Sequence, residues 1–487
     1  MKWSWLIGFA AVASLGATGN ASLIDAVKNG NRAGVRELVK QRADVNGREV
    51  DGTTALHWAV RSDDRETVQL LLQAGASVHA ANRYGVTALS LAAGNGNAAI
   101  IGALLKAGAD ASAALPEGET VLMTAARTGD PDSVAALLNA GADVNAREHW
   151  LGETALMWAA AENHPDVVSL LIDRGAALDL RSSAQEFAPF KFNLATMVNT
   201  VLPRGSLTAL MLAARQGALD AARVLVARGA DLDSTDPDQT TALVLAIING
   251  HYDVAALLAE KGADPNLGDS SGMAALYAAV DMHTQPPMIN RPTRKPSGGV
   301  DNLDLLAALL SHGADPNARL KTPLLARYHN TGDGQLGAGA TPLMRAAKSI
   351  DVPAMRLLLE RGADPALKNR TGATALMFAA GAARGKPDQA VADAVALCLD
   401  HGADVNAVND GGQTAVHIAV GQSDAVIRLL AGRGARLDLK DRQGRTPLDL
   451  ALADAPAGRG AAARGPAPEV RQATAALLTE LAGPSSN

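Results

Sequence analysis

Phe, Tyr and Trp together make only 3% of the 487 residues. That scarcity argues against one large globular core and fits close helix packing repeated many times, in which Ala and Leu do the filling. Cysteine is scarcer still, with Cys398 alone. One thiol excludes an internal disulfide, and within Ala-Val-Ala-Leu-Cys398-Leu it reads as a small buried hydrophobe. Excess positive charge is missing too. The formal net charge is −6, so no field draws in a polyanion, and nucleic acid is not an expected partner. Past the N-terminus no apolar run is long enough to cross a membrane. There is no HExxH, GxSxG, CxxC or glycine–lysine phosphate loop. The expectation is therefore a chain that is not an enzyme, with no catalytic residues, no cofactor and no metal.

The N-terminal 21 residues read as a cleaved signal peptide. Lys2 is the positive start, 3–15 is apolar apart from Ser4 and Ser14, and Gly19-Asn20-Ala21 supplies small residues for cleavage. The alternative is an apolar first helix. Against it, the stretch carries no helical stripe and ends just where a repeat pattern begins. A large exported chain without disulfides fits a bacterial periplasm better than a eukaryotic secretory route, so the expected location is periplasmic or secreted.

What the sequence has in abundance is self-similarity. A Thr-x-Leu element recurs at Thr54, Thr87, Thr120, Thr154, Thr208, Thr241, Thr341, Thr374 and Thr446, with Thr414 and Ala274 as near matches. Five of the ten spacings are 33 residues, the sign of a repeat architecture. Each Thr can cap a helix by accepting a backbone N–H. Pro342 and Pro447 follow where a missing N–H costs nothing. The second helix carries Leu-Leu pairs such as Leu71-Leu72. A Gly-Ala element then ends it in the left-handed conformation, as at Gly75 and Gly141. An Asp/Asn/Gly cluster makes the turn.

These marks, Thr-Ala-Leu-His57-Trp-Ala, Asn249-Gly-His251, Leu-Leu and Gly-Ala-Asp-Val-Asn145, resemble the ankyrin repeat. The resemblance runs through nearly all of 22–482. It implies an all-α fold, a solenoid of about twelve helix-turn-helix units with projecting β-hairpin fingers. It also implies the binding of partners along a concave face made by fingers and first helices. The expected division is an N-cap repeat at 22–49, with Ser22 and Asp25 as a capping box, then repeats 2–5 at 50–181 and a finger insertion at 182–205. Repeats 6, 7 and the start of 8 follow at 206–280, an inter-helix insertion at 281–300, and the end of repeat 8 at 301–319. A second finger insertion occupies 320–340, repeats 9–11 lie at 341–445, a C-cap repeat at 446–482 and a tail at 483–487. Repeat ten carries seven extra residues between its helices.

Departures from the pattern are where particular function can sit. The first finger insertion holds Phe187, Phe190 and Phe192, three of the five Phe in the chain. It forms a local mini-core folded over the stack, a knob for a partner or a disordered loop. The inter-helix insertion has Arg291, Arg294, Lys295 and four prolines between 284 and 300, and reads as a solvated cationic loop or a contact for an acidic partner. The second finger insertion is Gly-rich around Asp333. His283, His329 and Asp333 could together hold a metal only if the fold brought them together. His57 and His417 fill a slot that stitches neighbouring turns, and Trp58 and Trp158 are assigned to the core between repeats. Recognition is expected at finger tips and first-helix ends of repeats three to five: Arg83, Tyr84, Arg127, Thr128, His149, Trp150 and Glu162, with Phe187, Phe190 and Phe192 on the enlarged finger beside them. The leading expectation is a monomeric, non-catalytic scaffold for a protein partner. The alternative is a ligand- or metal-binding protein or enzyme with its site built from the insertions.

Overall fold

The computed structural model describes residues 22–184, 205–283, 298–323, 336–382, 386–453 and 468–482. Among them lie twenty-four helices in twelve successive antiparallel pairs. The chain divides into two compact units, with the boundary between Asp143 and Val144. Each is by itself an all-α repeat stack. The first unit has four helix pairs, from Leu23–Lys28 with Arg32–Lys40 to Val121–Thr128 with Pro131–Asn139. The second has eight, from Ala155–Ala161 with Pro165–Asp173 to Pro447–Leu452 with Pro468–Ala482. Within each unit first helices pack on first helices and second on second.

The threonines act as their spacing predicts except Thr54, whose hydroxyl lies 2.8 Å from His57 Nδ1 instead. Thr87 Oγ1 accepts from the Ser90 amide at 3.1 Å, and Thr120, Thr154, Thr208, Thr241, Thr341, Thr374, Thr414 and Thr446 cap in the same way. Ser22 accepts from the Asp25 amide at 3.1 Å. The Asp25 carboxylate, though, takes the Ser22 hydroxyl rather than the Ser22 amide. One second helix, Leu219–Ala227, has Ala218 at its cap and no side chain to use. Asn163 of the preceding repeat supplies the acceptor, 3.0 Å from the Ala221 amide.

The second helices end as Gly-Ala requires. Gly75 has φ of 87°. Its amide donates to Leu72 and that of Ala76 to Leu71, the paired closure that satisfies the last carbonyls. The core is built of Ala and Leu: Leu56, Ala59, Val68 and Leu71 are buried in repeat 2, and their counterparts recur along both units. Cys398 is buried in this lining, and desolvation pushes its thiol up to about 12, which makes it inert.

The fingers differ from the expected hairpins. Among the described residues they carry only single bridges, such as Ala81 with Thr87, and no strands. Their legs are too short for a ladder. Isolated cross-leg bonds hold the fingers instead, as Asn82 N–H to Val86 O at 3.0 Å, or Asn369 N–H to Ala373 O at 2.9 Å. Fingers then bond to one another. Within the first unit the Arg83 amide donates to Asp51 O, and within the second Ser270 donates to Asp238 O and Arg442 to Gly411 O. Asparagines lace the finger bases. Asn46 donates to Gly75 O and accepts from Ser77 N–H, and Asn406 does the same with Gly434 and Arg436.

The insertions leave this frame intact. Ser182 N–H bonds to Leu207 O at 2.9 Å and Leu320 N–H to Ala340 O at 3.0 Å. These are the same closing bonds as in uninterrupted fingers, so both finger insertions are grafted at tips. Gly205 sits where the first one returns. Its φ is 85° and a Cβ there would lie 2.0 Å from Ser183 O, so only glycine fits. The inter-helix insertion ends at Asp253, whose carboxylate accepts from the amides of Gly299 and Val300 at 3.1 and 2.9 Å. In repeat ten part of the extra chain lengthens the second helix, Asp388–Asp400, to 13 residues against nine in most others.

Candidate functional site

In the first unit, finger tips and first helices present a mixed aromatic and cationic surface. Trp58, assigned above to the core, is only half-buried. It is the fourth residue of its helix, a position that faces the finger side rather than the helix partner. Its indole N–H donates to Glu49 Oε2 at 2.7 Å. Lys28 Nζ lies 4.5 Å from the ring centroid and Arg61 Cζ 5.3 Å. Lys28 also pairs with Glu49. Tyr84 stands 57% exposed at the next finger tip. Arg83 Cζ lies 4.8 Å over its ring, and Arg83 Nη2 donates to the phenol oxygen at 2.6 Å. Arg127 is exposed and pairs with Glu119 at 3.5 Å, while Glu119 accepts from Thr124 Oγ1 at 2.9 Å. Thr128 is exposed, but its hydroxyl donates to Ala93 and Thr124 carbonyls, so it laces two helices.

In the second unit Trp150 is 75% exposed beside exposed His149. The Glu148 carboxylate beneath them accepts from the amides of Trp150, Leu151 and Glu153, which fixes the tip. Glu162 is exposed at the end of the helix Ala155–Ala161. Trp158 is half-buried like Trp58 and donates to Glu153 Oε2 at 3.0 Å. Burial pushes the Glu153 carboxyl up and pulls the Arg215 guanidinium down, and their mutual attraction opposes both shifts. Phe187, Phe190 and Phe192 lie outside the described residues.

The histidines divide by role. His57 Nδ1 accepts from the Thr54 amide at 3.2 Å, so Nε2 carries the proton and donates to Val86 O of the next repeat at 3.0 Å. His417 repeats this with Thr414 and Arg445. Desolvation lowers the pKa of both, and they are neutral stitches. His283 is different. Its Nδ1 lies 2.6 Å from Asp351 Oδ2, which raises its pKa. Beside it Arg345 Nε donates at 2.6 Å to Asp281, whose side chain is 0% exposed. His329 and Asp333 lie outside the described residues, and among those described no three potential ligands converge for a metal.

Sequence reading missed these clusters. The available signal was local for Glu119, immediately before a capping Thr with Arg127 at the end of the same helix, and only partly so for Glu153, whose Arg215 stands in the next repeat. It was absent for Asp281 and Arg345, which are 64 residues apart.

Family models for the ankyrin repeat match much of the chain. A model of three copies matches residues 23–114, 89–182, 190–269 and 210–289. A model of many copies matches 398–451, and the single repeat matches 338–370 and 371–410. No curated protein gives a significant match. No helix among the described residues is long and apolar enough to cross a membrane.

Proposed function

The chain belongs to the ankyrin-repeat family, and on that premise we propose that it is a non-catalytic scaffold binding a partner protein through finger tips and first helices. Repeats of this family mediate protein–protein contacts. The observation that carries the reading is the exposure of Tyr84 and Trp150 on braced tips. A large ring held rigidly in water loses little entropy on binding and buries much apolar area, the usual make-up of an energetic anchor. In the first unit the surface comprises Arg83, Tyr84 and Arg127. In the second it comprises His149, Trp150 and Glu162. Capture with a photoreactive residue at either ring tests the reading, and failure to retrieve a discrete protein from both positions counts against it.

The scaffold is proposed to work as a monomer in the periplasm or outside the cell. Lys2, the apolar 3–15 stretch and the small residues before Ser22 support export. N-terminal sequencing of the natively expressed protein should begin near Ser22. An intact Met1 on a cytosolic product would contradict it.

A further inference from the structure

We infer that the finger and first-helix surface of repeats 2 and 3 takes an acidic stretch of a partner polypeptide. The inference rests on the proposed function and names the chemistry of the partner. Arg61 and Arg83 are the residues that decide it. Each guanidinium is held over an aromatic ring, Arg61 on Trp58 at 5.3 Å and Arg83 on Tyr84 at 4.8 Å. Neither has a carboxylate within ion-pair distance among the described residues. On the second-helix side of the same unit the pattern is reversed: Arg32 pairs with Asp64 and Glu66, and Arg36 with Glu66.

A guanidinium stacked on a ring is ordered without being consumed. Its face is covered, and its edge keeps N–H donors in the fork geometry that matches a carboxylate. The acids of the patch are already occupied. Glu49 takes Lys28 and the Trp58 indole N–H. Asp51 Oδ1 accepts from the Thr53 amide at 2.9 Å, and the Asp51 carbonyl holds the Arg83 amide at 2.8 Å. Val50 stands fully exposed at the tip between them, offering apolar contact on the same finger. Arg83 is balanced only at longer range, where its charge joins the Thr53 amide in holding the Asp51 carboxyl low, and exposed guanidinium without a direct ion pair stands out in a chain of net charge −6. A continuous phosphate backbone fits less well, because Glu49 and Asp51 sit inside the patch and would repel it, whereas side-chain carboxylates on a peptide can be spaced around them.

The test is anisotropy titration of the full chain with three labelled probes of equal length: a Glu–Gly repeat peptide, a Lys–Gly repeat peptide and oligothymidylate. The Glu–Gly peptide should bind saturably and weaken as salt rises from about 50 to about 300 mM, as exposed charge contacts do. Arg61→Gln with Arg83→Gln should weaken it by about tenfold or more, the scale of losing charge-assisted hydrogen bonds. Arg32→Gln with Arg36→Gln, on the other side, should leave it unchanged. Neither pair is core, so melting should confirm that all variants fold. Absence of Glu–Gly binding, equal binding of oligothymidylate, or full binding by the Arg61/Arg83 variant would each overturn the inference. A photoreactive residue at Tyr84 separates the two failures. If it captures a partner while the Glu–Gly peptide does not bind, the surface is right and its acidic specificity wrong. If it captures nothing, the surface itself is wrong.

Discussion

Repeats 2 and 3 and repeats 8 and 9 use one frame in opposite ways. In repeat 2 the fourth residue of the first helix is Trp58, half-buried, with cations stacked on it from the water side. In repeat 9 the same slot is Arg345, buried and paired with Asp281 of the repeat before. The histidines follow suit. His57 is a neutral stitch, whereas His283 is held toward its charged form by Asp351. The buried leucines are common to both, and Thr87 of repeat 3 and Thr341 of repeat 9 cap their helices alike. The difference shows that the repeat fixes the backbone and leaves this slot free. Where charge stays outside it is available to a partner, and where it is buried it serves the stack.

The largest expected effect comes from breaking the buried pair. Asp281→Ala takes away the buried carboxylate that faces the Arg345 guanidinium and should destabilise the second unit by about 3–5 kcal/mol in urea titration. Asp281→Leu with Arg345→Met should recover most of that loss, because an apolar pair needs no compensation. A neutral Asp281→Ala would show that the charge is not buried in solution. Next in size are the exposed rings. Tyr84→Ala or Trp150→Ala should weaken binding of a captured partner by about tenfold or more, equivalent to roughly 1.4 kcal/mol, with little change in melting. Normal binding with a much lower melting temperature would make them core.

Caps come third. Thr87→Ala should cost about 1 kcal/mol. Asn163→Ala should cost a similar amount, although it removes a cap from a helix in another repeat. An unaltered melt for Asn163→Ala would remove that cross-repeat cap from the account. The smallest effect is in pH. The depressed pKa of His57 gives stability that is present above 6.5 and lost as pH falls through the folded value. The raised pKa of His283 gives stability fully present below 6.5 and lost as pH rises through the folded value. Hydrogen exchange, corrected for intrinsic rate, should therefore protect Ala55–Arg61 better near pH 8 and Ala275–His283 better near pH 5. The same sign in both helices would contradict the assigned protonation.

The frame was legible in the sequence because each of its parts is a local signal. A Thr two residues before Leu, Pro at the first helical position and Gly after Leu-Leu each act within one turn of helix. The insertions were legible as breaks in spacing. Their attachment at finger tips needed the bonds of Ser182 to Leu207 and Leu320 to Ala340, which no spacing reveals. Trp58 was assigned to the core from its place two residues after the buried Leu56, and its half-exposure follows from which side of the helix the fourth position takes. The finger strands were expected from the family resemblance, and the legs proved too short for them. Asp281 and Arg345 meet only because the repeat stacks across an insertion, so neither residue announces the other.

The central claim is that partners meet the finger side. It is tested most directly by placing one photoreactive residue in turn at Tyr84, at Trp150 and at Gln69, which is exposed on the second helix Arg65–Gln73. Irradiation in the native host should crosslink a discrete protein from positions 84 and 150 and none from 69. Crosslinks from 69 alone, or equally from all three, would contradict the account.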